Sequence, residues 1–129
     1  MSIEDNKSIV LNLYNARNQR NFTILDQIIS PDYITYVPNN PQPLRGPEGV
    51  RQTFAAMQNI FPDLTIAIND QIAEGDKVVI ICTSRGTNAV PFMGIPPGQH
   101  LTSVGIEVWR VVNGKINDYF GVSQLMPFT

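Results

Sequence analysis

The spacing of apolar residues changes once along this chain, and that change restricts the fold more than any other feature. Before Pro62 apolar side chains recur every three or four positions, and from Leu64 onward they alternate. Ile9, Val10, Leu13, Tyr14 and Ala16 predict an amphipathic helix from Ile3 to about Asn18, with Ser2 and Asp5 resembling a capping box at its start. A short second helix from Thr23 carries Ile24, Leu25, Ile28 and Ile29 and stops at Ser30-Pro31. A third opens at Pro47, which suits a first helical turn, puts Val50, Phe54, Met57 and Phe61 on one face, and ends before Pro62.

Tyr33 to Val37 has the β-branched and aromatic content of a strand. Pro38, Asn39, Asn40, Pro41, Pro43, Gly46 and Pro47 then predict a loop that makes no regular structure but can form an ordered rim. Leu64, Ile66 and Ile68 alternate with Thr65, Ala67 and Asn69 up to a turn at Glu74-Gly75-Asp76. Lys77 to Arg85 is almost continuously apolar, which predicts burial on both faces, between the helices and a further layer or subunit. A long loop from Gly86 to His100 leads to a strand from Leu101 to Val112, a turn at Asn113-Gly114 and a partner strand from Lys115 to about Gln124. Helices followed by consecutive hairpin strands predict an α+β fold, helices on one face of an antiparallel sheet closing over an apolar pocket.

Bulk properties narrow the function. The chain has 129 residues, 43% hydrophobic and 16% charged, which suits one globular domain spanning residues 1–129. Its formal charge is -2 and its nine Lys and Arg are scattered singly, so no basic stripe faces a nucleic acid. Glu4 and Asp5 stand where a signal peptide needs positive charge, and no apolar run approaches the roughly 20 residues of a membrane span, so a cytoplasmic protein is the expectation. Cys82 is the single cysteine and reads as a small buried hydrophobe, while His100, the single histidine, reads as a loop anchor without a metal partner.

The last hairpin carries the chemistry. A two-residue turn at Asn113-Gly114 puts Trp109 opposite Asp118, Glu107 opposite Phe120 and Ser103 opposite Gln124, all on one face. A glycine bulge at Gly114 shifts the count by one and exchanges Asp118 and Phe120 for Asn117 and Tyr119. A carboxylate among apolar neighbours resists ionisation unless a cation or donors stabilise it, so Glu107 fits either a general acid or base or a structural ion pair with Arg85, Arg110 or a backbone donor. The expected wall is Ser103, Glu107, Trp109, Phe120 and Gln124, with Tyr14, Tyr36, Phe54, Arg85 and Asp118 as further pocket residues.

Glu74-Gly75-Asp76-Lys77-Val78, Arg85-Gly86-Thr87, Phe92-Met93-Gly94-Ile95-Pro96-Pro97, Gly105-Ile106-Glu107 and Trp109-Arg110-Val111, with Asn113-Gly114-Lys115-Ile116 after them, resemble the SnoaL-like polyketide cyclase family in order and spacing. Gly46-Pro47-Glu48-Gly49-Val50 and Phe61-Pro62-Asp63-Leu64 are similar to the same family's third helix and its exit, so the likeness covers nearly the whole chain. The resemblance implies a nuclear transport factor 2-like cone of helices and curved sheet, a homodimer, and cofactor-free acid/base closure of a carbonyl substrate by an aldol reaction. It also marks departures: Tyr36 stands where many relatives have histidine, Phe120 and then Gln124 where they have an acid, and Cys82 where they often have tryptophan. Three readings stay open: a small enzyme using Glu107 with Tyr14, Tyr36 and Gln124 as donors, a non-catalytic module holding an apolar small molecule, and a dimerisation unit.

Overall fold

The computed structural model describes residues 2–36 and 41–126. Helix α1 spans Ile3–Gln19 and opens with the expected capping box, Asp5 N–H donating to Ser2 Oγ at 3.1 Å and Ser2 N–H to Asp5 Oδ2 at 3.3 Å. It ends at Arg20, whose left-handed backbone (φ 57°) returns its N–H to the carbonyls of Ala16 and Arg17. Val10, Leu13, Tyr14 and Ala16 form its buried stripe. Helix α2 is the single turn Leu25–Ile28, and α3 spans Gly46–Ile60 with Pro47 in its first turn.

Two short strands, β1 (Ile34–Thr35) and β2 (Leu44–Arg45), pair antiparallel. This corrects the expectation for the proline-rich stretch, because Leu44 and Arg45 do form regular structure once Thr35 and Ile34 are brought beside them. Strand β1 is also shorter than expected, and Val37 with residues 38–40 lies outside the described residues.

The main sheet is an antiparallel meander in the order β3-β4-β5-β6, from β3 (Thr65–Glu74), β4 (Lys77–Thr87), β5 (His100–Val112) and β6 (Lys115–Leu125). Gly75 (φ 59°) makes the first turn, and Asn113 (φ 52°) with Gly114 (φ 78°) makes the last, a two-residue connection that needs left-handed backbone at both positions. Helices α1 and α2 pack on one face. Their apolar stripes meet Val78, Ile80, Trp109, Val111 and Ile116 in one core.

The register across the last hairpin differs from the simple count. Val112 pairs with Lys115 and Val111 with Ile116, but then a bulge takes up Asn117, so that Arg110 pairs with Asp118, Trp109 with Tyr119 and Glu107 with Gly121. A shift by one does occur, but it arises at Asn117 and runs opposite to that of a Gly114 bulge, which would have set Trp109 against Asn117 and Glu107 against Tyr119. Ile116 and Asp118 would share a face in a regular ladder, and Ile116 is fully buried. The bulge turns Asp118 outward, where its Oδ2 accepts from Arg110 Nε at 2.8 Å and Nη2 at 2.6 Å, and turns the Tyr119 ring inward.

Within the chain, strand β4 is covered fully on one face only. Val78, Ile80 and Cys82 point into the core, whereas Val79 and Ile81 are only partly covered. They continue into two apolar rows on the outer face, Ile72-Val79-Val108-Phe120 and Ile81-Ile106-Val122, in which Ile72, Ile106, Phe120 and Val122 are exposed.

The core assignment sets two unequal truncations. Ile80→Ala at a fully buried position should cost about 2 to 5 kcal/mol in urea unfolding. Val90→Ala, in the exposed loop after β4, should stay within about 0.5 kcal/mol. Equal costs would contradict the placement of the core.

Candidate functional site

Small side chains on the inner face of the sheet leave a space that the helices do not fill. Ser84 on β4, Ser103 and Gly105 on β5, and Gly121 and Ser123 on β6 all line a cavity of about 390 Å³. Arg17 from α1 and Thr53 and Met57 from α3 close it from the helical side. Phe92 and Met93 reach it from the loop between β4 and β5. Asn88 holds that loop: its buried amide donates to the carbonyls of Val90 (3.0 Å), Ile95 (3.3 Å) and Pro96 (2.9 Å) and its Oδ1 accepts from Gln99 N–H at 2.9 Å. Phe92 then packs edge-on against Phe61 with ring centroids 5.0 Å apart.

Glu107 places its carboxylate on this cavity with its side chain 15% exposed. Its Oε1 accepts a hydrogen bond from the Tyr14 hydroxyl, lies 3.6 Å from Arg17 Nη1, and lies 3.7 Å from Cys82 Sγ. Tyr14 in turn accepts from Trp109 Nε1 at 2.9 Å. Arg17 is itself held, its guanidinium carbon 4.6 Å from the Phe54 ring centroid and 5.6 Å from that of Tyr14. Tyr119 lines the same cavity as Glu107, and its ring centroid lies 4.5 Å from that of Trp109. Every group converging on the carboxylate is a donor or a cation.

The expected site residues divide into three groups. Ser103, Glu107 and Arg85 line the cavity. Tyr14, Trp109 and Phe54 stand behind it, the first two sealed against Glu107 and the third supporting Arg17. Tyr36, Asp118, Phe120 and Gln124 do not line it: Tyr36 is 79% exposed, Phe120 is 66% exposed, and Asp118 and Gln124 sit on the outer face opposite Arg110 and Val104. The bulge at Asn117 is the reason for the last three.

The partner of Glu107 is also corrected. Arg110 is turned outward to Asp118 and Asp76, and the cation beside Glu107 is Arg17. The signal for Arg17 was its spacing of three from Tyr14 on one helix face. Tyr119 and Gly121 carried no comparable signal, because their face depends on the bulge. Cys82 is buried as expected, and His100 sits at the strand end with Nδ1 2.7 Å from Thr87 Oγ1. Among the described residues no cluster of three or more His, Cys, Asp and Glu could hold a metal ion, and no helix is long and apolar enough to cross a membrane.

Residues 7–129 match the model of the SnoaL-like polyketide cyclase family, and the chain belongs to that family. Wild-type IdmH from Streptomyces antibioticus, a candidate polyketide cyclase, is similar at 29% identity and a TM-score of 0.75, over 92% of this chain and 91% of IdmH. AclR from Streptomyces galilaeus, a candidate hydroxylase, is similar at 26% identity and a TM-score of 0.75, over 95% of this chain and 80% of AclR. TsrD from Streptomyces laurentii, at 24% identity and a TM-score of 0.80 over 95% of this chain and 90% of TsrD, shares the fold. That fold is the nuclear transport factor 2-like arrangement of helices on a curved antiparallel sheet. No curated protein matches the chain.

Burial, reinforced by the Glu107 charge, raises the Tyr14 and Tyr119 phenols above their ordinary 10.0 and pushes the Cys82 thiol from 9.0 up to about 11. Each group holds its proton more tightly folded than unfolded. Its stabilising contribution is therefore intact below the unfolded value and is lost as pH rises past it. Unfolding midpoints in urea should be steady from neutrality to about pH 9 and fall above it. Glu107→Gln removes one cause of all three shifts and should flatten that fall; an identical alkaline decline in both proteins would contradict the coupling.

Proposed function

We propose that this chain is a cofactor-free cyclase or isomerase of an apolar, carbonyl-containing small molecule, with Glu107 as its acid/base group. One observation carries the reading: a carboxylate held by Arg17 and Tyr14 opens on a cavity of about 390 Å³, a size within the range of small-molecule sites, about 300 to 1,000 Å³. Membership of the SnoaL-like family and the likeness to IdmH support the choice of reaction class.

In this mechanism the Glu107 carboxylate takes a proton from the carbon next to a substrate carbonyl. The C–H bond breaks, an O–H bond forms on Glu107, and the electron pair moves to the carbonyl oxygen. The enolate carbon then attacks a second carbonyl in the same molecule and forms a C–C bond. The alkoxide so produced recovers the proton from Glu107, and nothing else is consumed.

A second reading comes from the same contacts. A carboxylate already paired with Arg17 and hydrogen-bonded to Tyr14 also suits a structural network lining a ligand-binding cavity without turnover. Exchange of the α-protons of 2-tetralone in deuterated water, followed by NMR, separates the two. Acid/base function requires exchange above background, falling about 100-fold or more in Glu107→Gln at unchanged melting temperature. Binding of tetralone with equal, background exchange in both proteins would leave the binding module.

The outer face of the sheet supports a homodimer as part of the same proposal. Its two rows, with Ile72, Ile106, Phe120 and Val122 exposed, form an apolar surface of the kind that marks an association site. Sedimentation analysis should give a dimer for the wild type and a monomer for Ile106→Lys. A monomeric wild type at micromolar concentration would refute the assignment of this face.

A further inference from the structure

Across the last two strands Trp109 faces Tyr119 and Glu107 faces Gly121. Tyr119 and Gly121 are thus two positions apart on the same face, and both line the cavity. A β-carbon at position 121 would meet the Tyr119 hydroxyl oxygen at 2.0 Å and its ζ carbon at 2.6 Å. The ring is therefore folded along its own strand, into the space that a side chain at 121 would fill, and that space adjoins Glu107. Trp109 backs the ring at a centroid distance of 4.5 Å and an interplanar angle of 38°.

The two phenols at Glu107 differ in access. Tyr14 is 1% exposed and is committed to Trp109 and Glu107, whereas Tyr119 is 44% exposed and opens on the cavity. We infer that Tyr119 is the catalytic hydrogen-bond donor to the substrate's carbonyl oxygen, and that Gly121 is the positioning residue that lets its hydroxyl reach the reacting atoms. The inference rests on the proposed acid/base reading for its chemistry. When Glu107 takes the α-proton it becomes a neutral carboxyl, and negative charge appears on the substrate oxygen. The Tyr119 hydroxyl, free to rotate about its C–O bond, points its proton at that oxygen. It keeps its proton throughout. Burial and the Glu107 charge both raise its pKa and hold it in the protonated, donating form.

The test uses 2-naphthol, the aromatic counterpart of the 2-tetralone enol, titrated by fluorescence into wild type, Tyr119→Phe, Gly121→Ala and the double variant, with melting curves for each. Wild type should bind it. Each single variant should bind about tenfold to a hundredfold more weakly, and the double variant no more weakly than the worse single one. In the tetralone exchange assay Tyr119→Phe should lower kcat about 100-fold with little change in KM. Exchange abolished by Glu107→Gln but untouched by Tyr119→Phe overturns the donor and leaves the acid/base reading standing. Naphthol binding weakened by Tyr119→Phe and Gly121→Ala, in a protein that catalyses no exchange, supports the donor and sinks the reaction. Failure of wild type to bind naphthol, or equal binding by all four proteins, overturns the donor outright.

Discussion

A carboxylate on the inner face of a sheet costs several kcal/mol unless charge and hydrogen bonds answer it. Glu107 sits there, and the architecture around it is arranged to answer it. Helix α1 supplies Arg17 and, one turn earlier, Tyr14. Strand β5 supplies Trp109, two residues further along, whose indole N–H holds the Tyr14 oxygen. Strand β6 supplies Tyr119, whose ring packs on Trp109 beside the same cavity. The docking of the first helix on the sheet is thus polar at its centre as well as apolar along its length. A change in any one of these groups leaves the others short of a partner.

The bulge at Asn117 divides the sheet's two faces. Beyond it the inner face of β6 carries Tyr119, Gly121 and Ser123, and the outer face carries Asp118, Phe120 and Val122. Small residues inside leave room for a ligand. Large apolar residues outside leave a surface that water covers poorly. One extra residue in one strand therefore sets both the cavity wall and the candidate association face.

The first and third helices and the hairpin turns were legible in the sequence because each depends on neighbours close along the chain: a capping box, apolar residues on one turn-spaced face, and Asn113-Gly114. Glu107 was legible for a similar reason. It lies two residues from Trp109 on one strand, and the pleat alone puts both on one face whatever strand lies beside them. Strand β2 was not legible, since Leu44 and Arg45 become a strand only when Thr35 and Ile34 lie alongside. Nor was the position of Tyr36, whose aromatic ring suited a pocket but is mostly in solvent.

The amino-acid sequence by itself determined the switch of period, the antiparallel order of the four long strands and the inward direction of Glu107, because these follow from local backbone geometry. Tertiary structure alone decided which residues surround that carboxylate. The bulge that turns Asp118 out and Tyr119 in accompanies an ion pair with Arg110 and ring packing on Trp109, both reached across strands. Arg17 becomes the local cation only when α1 lies on the sheet. Contacts between distant segments carry no periodic signal, and the site is made from such contacts.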